Sequence, residues 1–570
     1  MLSVNFIIFF VSFFLLLAAV LGYGFFLIKL LNIKSTILIN TGYLGLFGLT
    51  FLIIYSYTSN LFLAHNKLHN FIIISIGIIF FLISKKFLTY QFKIKEFFFT
   101  FLLFLILFIS ILITKNHDDF SYYHFQYTYY LTQDSFNFGV GQFNHGFRTP
   151  SSIFYLNSLF YLPFIEYFSF NFSTIYILGF ANIILINKIG FSIEKLTLLK
   201  LNKNFSFIKY LSLISLVFIN IFFYRISEHG TDRSAQILIF LLIIEIFDFF
   251  LKDKTEQFPL TKIYILFSLI ISLKAFYFLY SIFFIPIVFF VFFKKKKIEK
   301  TIKYLFFNKI TFFTSLILFL VIFSYFSNTG CLLYPLNLTC FNNFNWSILE
   351  KDVIMMNDWY ELWSKAGANP NFRVSNPEIY IQKFNWVSNW FHDYFFNKVS
   401  DFILGLILLI LIFVKFFYRQ KKKNKINIVN KKFLYFTFFI LIFVFFEWFY
   451  NHPSLRYGGY CVIALLLFIP MSYFISLNDV TNNSYYKSAV LLFIISIIIF
   501  SSRNIVRLNN EINKYQYQPL KYTFYKITED YFSIQNKMDN LKQEFETCNN
   551  NLSCKNLKIK KKYFKYFFIN

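Results

Sequence analysis

Uncharged apolar runs of about twenty residues recur from one end of this 570-residue chain to the other. A chain built of such runs has few options, because only helices and closed barrels satisfy their backbone inside a bilayer. The runs are helix-length, so the expected fold is all-α: a polytopic bundle of 12–14 transmembrane helices with extracytoplasmic loops. The chain is 57% hydrophobic and 24% aromatic, outside the range of soluble domains. Its 90 Phe come with an excess of Ile, Lys, Asn and Tyr, as AT-rich bacterial coding produces, so they are not read as a binding device. The net charge of +27 would suggest nucleic acid in a soluble protein. Here the lysines sit in short clusters between apolar runs, which is how positive-inside topology is written. Nucleic acid is therefore not an expected partner.

Spans are expected at about 4–30, 36–57, 70–86, 97–114, 172–190, 209–224, 233–250, 309–326, 401–417, 432–450, 459–476 and 485–501. The first reads as a signal anchor that is kept. Thr261–Phe293 has basic residues at both ends, so it crosses twice or not at all, and two short helices meeting near Lys274–Tyr280 fit best. Lys274 then either approaches the outer side or snorkels from a helix end. Ser151–Phe170, broken by Asn157, Pro163 and Glu166, is expected to lie at the outer interface. Residues 1–501 form the membrane domain, with outer loops 115–171 and 327–400. Residues 502–570 form a polar tail, outside by parity. In this topology His65, His69, His117, His124, His145, His229, His392 and His452 all fall on the outer side. So do Cys331, Cys340, Cys548 and Cys554, whose close spacing on the oxidising side predicts Cys331–Cys340 and Cys548–Cys554 disulfides.

Polar chemistry concentrates in four outer stretches. Asp118 and Asp119 follow directly on an apolar run and are accompanied by His124, His145 and Arg148. Glu228, His229, Asp232 and Arg233 occupy a tight turn, Lys274 stands alone, and His452 with Arg456 forms a fourth group. Ionisable groups at helix mouths are costly unless they face water or each other. Carboxylates serve as general base or divalent-metal ligand, and Arg and Lys suit a phosphate or pyrophosphate. Asp118 and Asp119 are the catalytic and metal candidates; the other ten are substrate-binding candidates. Five of the six Trp lie in the large loop: Trp346, Trp359, Trp363, Trp386 and Trp390. They either anchor at the interface or stack on a sugar or lipid carrier. The sequence has no P-loop, no G-x-S-x-G elbow and no H-E-x-x-H.

An acidic pair at the exit of a membrane helix resembles the C-type glycosyltransferase superfamily, in particular its protein mannosyltransferases and aminoarabinose transferases. Their pair is Asp-Glu-like and follows the first span; here it is Asp118-Asp119 after about four spans. The stretches D-D-F-S-Y-Y-H-F, N-H-G-F-R-T-P and G-T-D-R-S-A-Q also resemble a group of uncharacterised bacterial multi-spanning proteins. The superfamily resemblance implies a polyprenyl-phosphate-linked sugar donor, a divalent metal ion as possible cofactor, and a glycan, lipid or protein acceptor at the outer face of a bacterial inner membrane. The alternatives are an O-antigen or polysaccharide polymerase or ligase, and a lipid-linked glycan transporter or flippase without catalysis.

Overall fold

The apolar runs fold as helices in a computed structural model of the chain. It describes residues 5–33, 40–88, 94–113, 118–192, 197–198, 206–228, 230–252, 257–368, 374–418, 430–477, 482–521, 527–548 and 557–569. In chain order the helices are α1 (Phe6–Leu30), α2 (Thr41–Asn60), α3 (Lys67–Leu88), α4 (Ile94–Leu107), α5 (Phe125–Gln133), α6 (Ser152–Ser158), α7 (Phe172–Lys188), α8 (Ser206–Phe222), α9 (Gly230–Leu251) and α10 (Gln257–Leu273). Then come α11 (Phe284–Lys295), α12 (Ile298–Phe306), α13 (Lys309–Thr329), α14 (Glu350–Lys365), α15 (Pro377–Ile381), α16 (Val387–Trp390), α17 (Ser400–Phe417), α18 (Lys431–Asn451), α19 (Gly459–Ser476), α20 (Asn482–Tyr515) and α21 (Ser533–Thr547). Two short antiparallel hairpins complete the set: β1 (Phe191–Ser192) with β2 (Thr197–Leu198), and β3 (Ile559–Lys562) with β4 (Lys565–Phe568). Among the described residues twelve helical stretches are long and apolar enough to cross a membrane, and α8 and α10 are shorter apolar helices. The protein is an all-α, multi-pass membrane protein.

α7 and α9 are buried along their whole membrane-crossing length, whereas α3, α17 and α20 leave most of theirs open. A helix apolar on every side belongs in the middle of a bundle, and α7 and α9 pack on each other and on α8. Glycine sets the closest approaches. A Cβ on Gly48 of α2 would overlap the Val20 carbonyl of α1, and one on Gly22 of α1 would overlap the Gly77 carbonyl of α3. Without a hydrophobic drive between helices in lipid, such backbone proximity supplies much of the packing energy.

The chain breaks where Lys274 stands. α10 ends at Leu273, Lys274 is extended (φ −161°, ψ 133°), and a 3₁₀ stretch, Ala275–Phe283, leads into α11. Three expectations need correction. Residues 151–170 do not lie along an interface: α6 and the turns after it are buried in the bundle, and only residues near Phe164 reach out. The reason is polar satisfaction inside the protein, for Ser173 donates to Asn157 Oδ1 (2.6 Å) and Asn70 donates to the Ser158 carbonyl (2.8 Å). α20 continues fourteen residues past Ser501, because Phe500, Asn504 and Glu511 remain covered on one side. The span expected from 401 is a helix from Val387 onward. Cys331 and Cys340 are bonded, and Cys548 is also in a disulfide; Cys554 lies outside the described residues.

Gly48→Val should cost about 1–3 kcal/mol through overpacking and lower the thermal midpoint in detergent. Gly405→Ala, whose Cβ would meet only the Phe222 ring at 3.0 Å, should shift it far less.

Candidate functional site

The helix that begins at Asp118 runs without a break to Gln133, with one π-turn at Phe120–His124. Such turns commonly mark functional positions. Both carboxylates lie just before it, and they differ in exposure. Asp118 is exposed, while Asp119 faces the bundle and is ion-paired with Arg456. Arg456 Nε also donates to Asp232 Oδ2 (2.5 Å), and Lys274 Nζ donates to Asp232 Oδ1 (2.6 Å). Four residues from four distant stretches therefore form one chain, Asp119–Arg456–Asp232–Lys274. Asp232, in the first turn of α9, is the least exposed at 5%, and the other three side chains are 23–26% exposed. Two carboxylates against two cations leave the group neutral.

Its surroundings are aromatic and amide. Lys274 Nζ stands 4.7 Å from the Tyr457 ring centre, and Tyr277 donates to the Asp232 carbonyl (3.4 Å). Gln236 donates to the Arg456 carbonyl (3.0 Å) and accepts from the Cys461 N–H (3.1 Å), tying α9 to the start of α19. Tyr123 packs so closely on Gly146 that any Cβ there would overlap its ring. The large loop covers one side: Trp363 of α14 meets Tyr457 with ring centres 5.7 Å apart, and the Tyr360 hydroxyl is within electrostatic reach of Tyr457, Tyr334 and Arg148. Burial works against charge on Arg456, but Asp232 and Asp119 overcome it and hold the guanidinium above its ordinary value. Burial holds the Lys274 ammonium below its ordinary value in spite of Asp232. His452 packs against Phe276 and Tyr457, and its Nδ1 has no hydrogen-bond partner among the described residues. Burial, with Lys365 and Lys274 nearby, pushes it down to about 4.

The remaining sequence-predicted residues stand apart from this chain. Arg148 is buried and donates to the Gly141 carbonyl (3.0 Å) and the Tyr334 hydroxyl (3.2 Å), so it fixes two outer loops together. His145 stands beside it, and partial burial and Arg148 lower its pKa. Glu228 is shared by Arg225 (2.5 Å) and Arg507 of α20. Arg233 lies over the Phe223 and Tyr460 rings. His124 packs on Phe154 and helps to wall a small polar cavity of about 20 Å³ with Asn157, Asn171, Ser227, Glu228 and Thr231, room for about one water. His229 lies outside the described residues. Asp118 and Asp119 face different ways, and among the described residues no group of three or more His, Cys, Asp or Glu could hold an ion.

A second charged group escaped the sequence reading. At the opposite end of α9, Glu245 meets Lys188 of α7 (2.7 Å) and accepts from Tyr43 (2.5 Å). Asp248 pairs with Lys188 and with Lys252 (2.9 Å), and Lys262 lies over the Tyr43 ring. Ionisable groups are thus not confined to one face. The signal was present, since Glu245 and Asp248 interrupt an apolar run. Tyr123, Tyr457 and Gln236 were also missed, although each stands within four residues of a predicted charge.

A helical bundle that brings a closed set of carboxylates and cations to one end defines this protein as a multi-pass membrane protein with a polar, aromatic-walled site. The chain belongs to the family described as Domain of unknown function (DUF8201), whose model matches residues 6–463, a stretch that holds all four members of the network. No curated protein and no solved structure matches it.

Asp232→Asn should cost about 3–5 kcal/mol, because two partly buried cations lose their shared partner. Asp118→Asn, on an exposed side chain, should stay within about 0.5 kcal/mol. Thermal unfolding in detergent separates them. His452 predicts a pH effect of definite sign. Its depressed native pKa means the unfolded state binds the extra proton, so stability should fall as pH drops from about 6.5 toward 4. His452→Gln should remove that part of the pH dependence of the midpoint.

Proposed function

We propose that this protein is a membrane glycosyltransferase that takes a sugar from a polyprenyl-phosphate carrier and passes it to a cell-envelope acceptor at the outer face of a bacterial inner membrane. The observation that carries the reading is the Asp119–Arg456 pair, joined through Asp232 to Lys274 and partly open beneath a wall of Tyr and Trp. An anionic carrier phosphate entering this site competes with Asp119 for Arg456. Once it does so, the Asp119 carboxylate is released to act as general base. The acceptor hydroxyl gives its proton to Asp119 and its oxygen forms the bond to the anomeric carbon. The bond from that carbon to the phosphate oxygen breaks, and the leaving polyprenyl phosphate takes the electron pair, its charge offset by Arg456 and Lys274. Tyr457, Tyr360 and Trp363 offer flat faces for the sugar. Asp232 holds both cations in position and is not assigned contact with substrate.

A transporter or flippase without catalysis is the second reading. It is favoured by the buried Lys188–Glu245–Asp248 group, which stands about 20 Å along α9 from Asp232 and gives the helix ionisable residues at both ends.

The test uses purified protein in liposomes with polyprenyl-phosphate sugars, together with glycan profiling of cells lacking the gene. Asp119→Asn should abolish transfer, by 10²-fold or more, while preserving the thermal midpoint to within a few degrees; Asp118→Asn should retain transfer. A deletion that alters surface glycans and is fully rescued by Asp119→Asn defeats the catalytic assignment. Vesicle-to-vesicle movement of the lipid-linked sugar with no product formed establishes the transporter instead.

A further inference from the structure

The C-terminal hairpin carries a feature that nothing inside the protein accounts for. β3 and β4 dock through one side: Phe567 stacks on Phe138 with ring centres 4.5 Å apart, and Phe568 is buried and donates to the Phe138 carbonyl (3.0 Å). The turn between them does the opposite. Tyr563 and Phe564 are 81% and 94% exposed, and both sit in the left-handed region (φ 51° and 62°). Two-residue turns of this hand ordinarily use Asn or Gly, so two bulky aromatics here cost backbone energy without any packing gain. Lys560, Lys561 and Lys562 precede them and Lys565 follows; Glu546 pairs with Lys561 alone among these.

Contacts place the base of this turn near the loop end of the α13 span. Lys565 stands over Phe136 and donates to Ser135 Oγ (2.9 Å). Phe136 packs on Phe323 (ring centres 5.3 Å), two turns below the end of the α13 span, and Phe323 stacks on Phe319, a 63% exposed residue of the lipid-facing side. The Cys331–Cys340 loop leaves the same end of α13 and exposes Leu338 to 94%. Exposed aromatics ringed by lysine at this depth match the interfacial zone, where aromatic rings are favoured and each Lys adds about 1 kcal/mol toward an anionic surface.

We propose that the 562–565 turn is an interfacial anchor, with Tyr563 and Phe564 inserted among the headgroups of the bilayer that the chain itself spans and the lysines around them held on anionic phospholipid. The anchor would brace residues 136–143, and through them the segment that carries Arg148, against the membrane. This proposal does not depend on the glycosyltransferase reading.

The turn can be addressed chemically. Cys461 is buried, and Cys331, Cys340 and Cys548 are disulfide-bonded. An environment-sensitive NBD probe placed on Phe564→Cys, in nanodiscs of phosphatidylcholine with phosphatidylglycerol, should show blue-shifted emission quenched by shallow doxyl lipids. A probe on Gln543→Cys should emit as in water. Lys560→Gln with Lys562→Gln should return the Phe564 probe toward water-like emission, as should pure phosphatidylcholine. Water-like emission in every lipid overturns the anchor. Blue-shifted emission that lipid quenchers do not reach also overturns it and places a protein surface over the turn. Equal insertion in both lipids overturns the role given to the lysines.

Discussion

Asp232 is the group on which the outer end of the bundle depends. It is 5% exposed in the first turn of α9, where the helix dipole already favours a negative charge. A carboxylate so placed needs cations, and it takes two, from different parts of the chain. Lys274 reaches it only because α10 stops one residue earlier, and Arg456 only because the turn between α18 and α19 folds inward over the end of α9. The two breaks in helical regularity and the one buried acid explain each other. Replacing Asp232 would leave two partly buried cations without their shared partner. Asp119 then joins a frame already set, since Arg456 has a second edge of its guanidinium to offer.

Much of this could be read from the residues. Apolar length gave the helices, and the basic ends of Thr261–Phe293 predicted the interruption at Lys274 for a reason independent of the site: a segment with both ends on one side must turn back. The convergence of Asp119, Asp232, Lys274 and Arg456 followed from placing every outer turn at one end. What the sequence concealed was direction. Asp118 and Asp119 are neighbours, and consecutive residues on a helix point about 100° apart, so only one of them meets Arg456. Glu228 and Asp232 are four residues apart in sequence, yet one joins Arg225 and Arg507 while the other joins the network. Residues 151–170 misled for a related reason: apolar content with scattered polar groups reads as an interfacial helix, and it suits a buried segment equally well when Ser173 and Asn70 stand ready to satisfy those groups.

The C-terminal part beyond the family match is not an appendage. α21 donates its Ile534 N–H to Gln126 and its Lys542 to Asp134 (2.7 Å), both on or beside α5. The hairpin closes over Gly139, where a Cβ would overlap the Phe568 carbonyl. The helix bearing Asp119 is therefore gripped from both sides, by the bundle on one and by the C-terminal segment on the other.

Within the network the two carboxylates have unequal freedom, and this gives the site a direction. Asp232 has both oxygens engaged, each by a different cation, and is nearly sealed from solvent. Moving it would strand two charges. Asp119 is 23% exposed and pairs with Arg456, with Lys274 within electrostatic reach. Water can solvate it when that contact opens, so the cost of separating this pair is far smaller than that of separating Asp232 from either partner. On the proposed function, an incoming anion would exchange with Asp119 and leave Asp232 in place. The arrangement is a fixed cationic seat, made by Asp232, with a removable carboxylate in front of it. On that reading the carboxylate that the anion displaces is also the one left beside it, placed to accept a proton.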